Sequence, residues 1–143
     1  MTIRAGVAIE DINPRKPMAL FGYPHVERVS TGIHDPILAS FLCLDNGRRR
    51  LVLGALDILF IEPPLARRMR SSVAAAAGTR PEDVFISCTH THSGPISSDL
   101  ISFGGDSAVP HPDPEYLEQV CQAATKAAGR AAASLRNAAL AWT

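Results

Sequence analysis

Apolar and polar positions along the chain fall into short strand-like and longer helix-like runs, separated by two long polar loops. Residues 3–9 form a first apolar run that predicts a strand, ended by Asp11-Ile12-Asn13-Pro14. Residues 14–36 are rich in Pro, Gly and polar groups with no clear period, and read as a long ordered loop; loops of that length in a compact domain are usually functional. Residues 37–44 and 50–58 flank Asp45-Asn46-Gly47, a tight-turn signal, and predict a hairpin. The second member runs apolar almost without pause, the pattern of a strand buried on both faces.

Helical spacing follows. Pro63-Pro64 can open a helix over 64–77, with Leu65, Met69, Val73 and Ala76 on one face, Arg67, Arg68 and Arg70 outside, and Gly78 as the stop. Residues 84–88 predict a short strand, and residues 93–112 a second long loop. Asp113-Pro114-Glu115 combines an N-cap carboxylate, a first-turn proline and an acid near the positive end of the helix dipole. Leu117, Val120, Cys121, Ala124, Ala128, Ala131 and Leu135 then recur at helical spacing, which predicts one helix to about Asn137, its small alanines close against a sheet. Ala138 to Thr143 reads as a strand just beginning, and the expectation is an incomplete, N-terminal part of a larger catalytic domain. The fold expected over 1–143 is therefore a single α/β unit, a mixed β-sheet flanked by helices.

Composition narrows the partners. Fourteen basic and fourteen acidic side chains cancel, which argues against the basic face a nucleic-acid partner requires. The longest apolar stretch, Leu51 to Ile61, is interrupted by Asp57 and falls far short of the ~20 residues that span a bilayer. Cys43, Cys88 and Cys121 are odd in number and widely spaced, so they make neither a CxxC pair nor a disulfide framework. With no leader-like segment at the N-terminus, a reducing, cytoplasmic location is expected.

The chemistry concentrates in Thr89-His90-Thr91-His92-Ser93-Gly94-Pro95, directly after the strand 84–88. In extended backbone, side chains two apart point the same way, so His90 and His92 can face one point at the carboxyl end of a strand. Neutral imidazole is the commonest metal ligand. The bland alternative is two polar residues hydrogen-bonded to their Thr neighbours. Asp57, late in an apolar run, either orients a metal-bound imidazole or caps nearby backbone N–H groups. His34, beside Asp35, is a lesser candidate; His25 and His111 lie in loops beside prolines. Arg48-Arg49-Arg50 reads as a solvated edge, and Gly104-Gly105-Asp106-Ser107 lacks phosphate-binding spacing. No GxSxG elbow or Walker loop occurs.

Ile86 to Pro95 resembles the THTHSGP signature of the neutral/alkaline, non-lysosomal ceramidases. Other matches follow in the same order: Ala5-Gly6-Val7-Ala8 with Asp11-Ile12-Asn13-Pro14, Leu20-Phe21-Gly22-Tyr23, His34-Asp35-Pro36-Ile37-Leu38-Ala39, and Leu56-Asp57-Ile58. The resemblance implies an α/β catalytic domain with one zinc that activates water to hydrolyse the amide of an N-acyl sphingoid base or related lipid amide. It assigns His90 to the zinc, His92 to the substrate or the developing oxyanion, and Gly22 to a loop that approaches substrate. The family's other ligands, a later His, a Glu and a Tyr, its catalytic Ser and its C-terminal immunoglobulin-like domain map nowhere on these residues. Expected partners are thus a lipid amide and either the remainder of the domain or a second copy of the chain. A non-catalytic fragment and a small ligand-binding α/β domain are the alternatives.

Overall fold

A computed structural model describes residues 2–23, 26–99 and 110–141. His25, the 104–107 stretch and Trp142-Thr143 lie outside the described residues. Five strands form one sheet: β1 (Ile3–Asp11), β2 (Leu38–Asp45), β3 (Arg50–Leu56), β4 (Val84–Cys88) and β5 (Arg136–Ala138). Their order across the sheet is β4-β3-β2-β1-β5. Among the described residues only β3 and β4 pair in parallel, because a helix, α1 (Pro63–Ala77), carries the chain back between them; the other pairs are antiparallel. The sheet is mixed, and with α2 (Pro114–Ala133) the chain has the expected α/β architecture.

Both helices cover one face. Ala8, Ala39, Phe41, Cys43, Val52, Leu56 and Val84 point into a core with Met69, Val73, Ala74 and Ala77 of α1 and Val120, Ala124, Ala127, Ala128 and Ala131 of α2. The alanines let α2 lie close to the sheet. At Gly6 it is so close that a Cβ would sit 2.1 Å from the Ala131 carbonyl oxygen, and only glycine fits.

The opposite face is bare among the described residues. Cross-strand partners share a face, and the register aligns Val7, Leu42, Leu53 and Phe85 in one row across four strands. Val7 is 69% exposed and Phe85 62%. This corrects the reading of β3 as buried on both faces: Val52, Gly54 and Leu56 are buried, whereas Leu51 is exposed and Leu53 and Ala55 are half-buried. An apolar run records that both faces avoid charge; which face is covered depends on where the helices pack.

The element ends show what sequence spacing leaves open. Gly78 closes α1 in the left-handed conformation (φ 65°), its N–H and that of Thr79 taking carbonyls of the last turn. Along α1, Ala76 is exposed, and Ala74 and Ala77 take the core positions beside Met69 and Val73. Asp113 caps α2, accepting hydrogen bonds from the N–H groups of Glu115 and Tyr116. α2 stops at Ala133, four residues short of Asn137, since residues 136–138 pair with β1 instead. Tyr116 rather than Leu117 is the buried residue of its first turn.

Candidate active site

Asp57 ties the ends of three strands together. Its Oδ2 accepts from the Leu38 N–H at 2.9 Å, and its Oδ1 accepts from the Thr89 hydroxyl at 3.0 Å. Beyond the strands proper, the Thr89 N–H donates to Leu56 O and the His90 N–H to Ile58 O, so the motif runs beside 56–58 for two further residues. Asp57 therefore holds Thr89, the residue before His90. One of these bonds caps a backbone N–H and the other takes a hydroxyl; neither is to an imidazole.

At His90 the chain turns sharply. Its φ is +64°, the one left-handed non-glycine residue among those described. His is among the residue types enriched in that region, and such outliers cluster where a side chain must be aimed. The two imidazoles consequently do not converge by the extended-strand alternation that the spacing suggested. They converge through this turn: the ring centroids of His90 and His92 lie 5.2 Å apart, tilted by 59°. His90 is exposed and His92 half-buried.

Aromatic rings flank the pair. Phe60 meets His90 edge-on at 4.8 Å, and Tyr23 meets His92 edge-on at 5.1 Å. Phe21 continues the series against Phe60 at 6.0 Å. These are favourable T-shaped arrangements that fix ring orientation. Tyr23 and Phe21 come from the long 14–36 loop. That loop closes on itself through the Leu20 N–H to Arg28 O and the Ser30 N–H to Met18 O. It joins the motif through the Phe21 N–H to Gly94 O and the Ile96 N–H to Ala19 O. Between Phe21 and Tyr23, Gly22 has φ +103° and lies directly against His92; a Cβ there would be 2.5 Å from His92 Cγ. Farther along, the Ser97 hydroxyl donates to Phe60 O, and Glu62 accepts from the Ser98 hydroxyl and the Asp99 N–H, which fastens the segment after the motif.

A groove of about 680 Å³ opens beside the motif, lined by Leu20, Val29, Ile33 and Ile37 together with Asp57, Thr89, Thr91 and Ser93. His34 also lines it, almost fully exposed and bonded to Asp35 at 2.8 Å. His111 pairs instead with Asp99. Arg49 and Arg50 of the basic run are engaged by Asp83 and Asp45 respectively. The cysteines are free thiols, and burial pushes the Cys88 thiol up to about 11, which disfavours its thiolate.

A catalytic zinc takes three protein ligands and an open position. Among the described residues no three ligating side chains gather around one point. The site as described supplies an imidazole pair and does not by itself fit a catalytic zinc. Arg28 and Phe60 carry no site signal in the sequence, and Tyr23 stands in the Leu20-Phe21-Gly22-Tyr23 segment with no role of its own there.

The architecture is a mixed sheet with both described helices on one face. The fold matches the structure titled "Crystal Structure Analysis of neutral ceramidase from Pseudomonas aeruginosa", with a TM-score of 0.79 and 24% identity, over 96% of this chain. It matches "Ceramidase complexed with C2" equally, at 0.79 and 24%. At that identity the likeness establishes the fold. The chain spans 22% of the length of each ceramidase chain. No family model matches the chain. Among the described residues no helix is long and apolar enough to cross a membrane.

Proposed function

We propose that this chain is the His90/His92-bearing segment of a zinc-dependent amide hydrolase of the neutral ceramidase type, acting on an N-acyl sphingoid base or a related lipid amide. The observation that carries this reading is the imidazole pair brought to 5.2 Å at the end of β4, within a chain whose fold matches neutral ceramidase over 96% of its length. In this reading His90, exposed and held by Thr89 and Phe60, is the zinc ligand, and further polypeptide supplies the remaining ligands. His92, held between Gly22 and Tyr23, presents its ring to the substrate carbonyl as a hydrogen-bond donor. Bound zinc would supply Lewis-acid activation of water. The groove beside Asp57 and Thr89, with Leu20, Val29, Ile33 and Ile37 among polar lining residues, offers both apolar and polar walls to an amphipathic amide, and the bare sheet face fits a covering layer of that further polypeptide.

The test is N-acyl sphingosine hydrolysis, followed as fatty-acid release with added zinc. Residues 1–143 alone should show no turnover. A polypeptide continuing past Thr143 should retain zinc and hydrolyse the substrate, and His90→Ala should abolish both. Turnover by residues 1–143 that His90→Ala abolishes would contradict the need for further polypeptide. A longer polypeptide that retains no zinc would contradict the whole reading.

A further inference from the structure

We propose that Arg28 is a positioning residue that fixes the His92 ring, acting through Tyr23 and through the main chain of His92. This rests on the reading of His92 as a site residue.

Arg28 lies in the return limb of the 14–36 loop, and its guanidinium meets three groups at once. Nη2 donates to the carbonyl oxygen of Phe21 at 3.1 Å and to the carbonyl oxygen of His92. Its Cζ stands 4.5 Å above the centre of the Tyr23 ring, a cation–π distance. The edge of Tyr23 in turn meets His92 at 5.1 Å. Arg28 thus touches both neighbours of Gly22 and the backbone that carries His92, while Gly22 itself lies against the His92 ring. The loop and the motif are registered to each other by one side chain, 64 residues from His92 in sequence.

The chemistry is specific to arginine. A guanidinium donates in its plane and stacks through its face, so it can bind two carbonyls and cover a ring together. An ammonium is a compact point charge; it can satisfy a carbonyl but cannot also lie flat on Tyr23. Nε of Arg28 is buried without a hydrogen-bond partner among the described residues, so the side chain is held by the contacts of the rest of the guanidinium. A simple loop staple needs only the carbonyl bonds. The stack on Tyr23, aimed edge-on at His92, is what makes Arg28 a determinant of ring orientation.

The experiment is NMR of His and Tyr ring protons in protein kept metal-free with chelator. The parent should show a cross-relaxation peak between the Tyr23 and His92 rings. In Arg28→Ala that peak should be lost and the His92 ring signals should move, while those of His34 and His111 stay in place. Arg28→Lys should behave like Arg28→Ala. Tyr23 is half exposed, so Tyr23→Leu should fold and should move the His92 signals in the same way with the carbonyl bonds intact. Unmoved His92 signals in Tyr23→Leu, or full rescue by Arg28→Lys, would overturn the proposal and leave Arg28 a loop staple. Because ring geometry is read without metal or substrate, this outcome is independent of whether the zinc and amidase reading holds.

Discussion

The imidazole of His92 occupies the space that a side chain at Gly22 would need: a Cβ there would approach His92 Cγ to 2.5 Å and Nδ1 to 2.7 Å. Gly22 also has φ +103°, a conformation L side chains rarely adopt. Gly22→Ala therefore combines a clash with backbone strain, and should cost about 1–3 kcal/mol. Urea unfolding followed by far-UV circular dichroism reads this directly. A midpoint equal to the parent's would mean that the loop does not pack on His92 in solution.

Helix α2 offers a paired test of its buried face. Val120 is fully buried in the core, whereas Leu117 is half-buried and outside it. Val120→Asp places an unpaired charge among apolar groups and should cost about 3 kcal/mol or more. Leu117→Asp should cost under about 1 kcal/mol, since water still reaches the position. Equal losses of melting temperature would show that the face is wrongly assigned.

Stability should fall on acidification through groups at the hairpin turn. The Gly47 N–H bond, then Arg50, hold the Asp45 carboxyl below its ordinary range; the Arg80 bond, then Arg49, do the same for Asp83. A carboxylate depressed in the folded state contributes stability that is fully present above its unfolded value, near 3.9, and is lost as pH falls toward the folded value. Urea midpoints should be level from about pH 7 to 5 with respect to these groups and should drop below about pH 4. Asp45→Asn should lower the neutral plateau and flatten that acid limb. An unchanged limb in this variant would show that Asp45 does not carry the effect.

Metal retention should separate the two histidines. Under the proposed function His90 binds the ion and His92 lies beside it, so His90→Ala should lower zinc content more than His92→Ala in the polypeptide that continues past Thr143. Elemental analysis after dialysis decides it. Equal zinc in the parent and both variants would remove His90 from the ligand set.

The bare row of Val7, Leu42, Leu53 and Phe85 should make residues 1–143 prone to association. Phe85→Lys should reduce light scattering at matched concentration and change stability by no more than about 0.5 kcal/mol, because Phe85 touches little in the folded state. Scattering that is unaffected would place the sticky surface elsewhere.

Much of this fold was legible because local chemistry determined it. Asp45-Asn46-Gly47 specifies a tight turn whatever surrounds it, and Gly47 indeed takes φ +82° there. Asp113-Pro114 and Gly78 mark helix ends through bonds made within a few residues. The Thr89–Pro95 motif could be singled out as a candidate because its histidines are neighbours in sequence. What stayed hidden depends on partners far away along the chain. The end of α2 was decided by β1, near the other end of the chain, which claims residues 136–138 as a strand partner. Coverage of one sheet face and not the other followed from where α1 and α2 pack, which an apolar run does not encode. The left-handed turn at His90, the Asp57 bonds to Leu38 and Thr89, and the Arg28 clamp on the His92 carbonyl were likewise settled in three dimensions. Sequence alone determined the candidate residues, the hairpin turn and the helix ends at Gly78 and Asp113, because capping and turn bonds span only a few residues. Tertiary structure alone decided how the imidazoles are aimed and held, because the groups that hold them come from loops and strands that meet only once the sheet has formed.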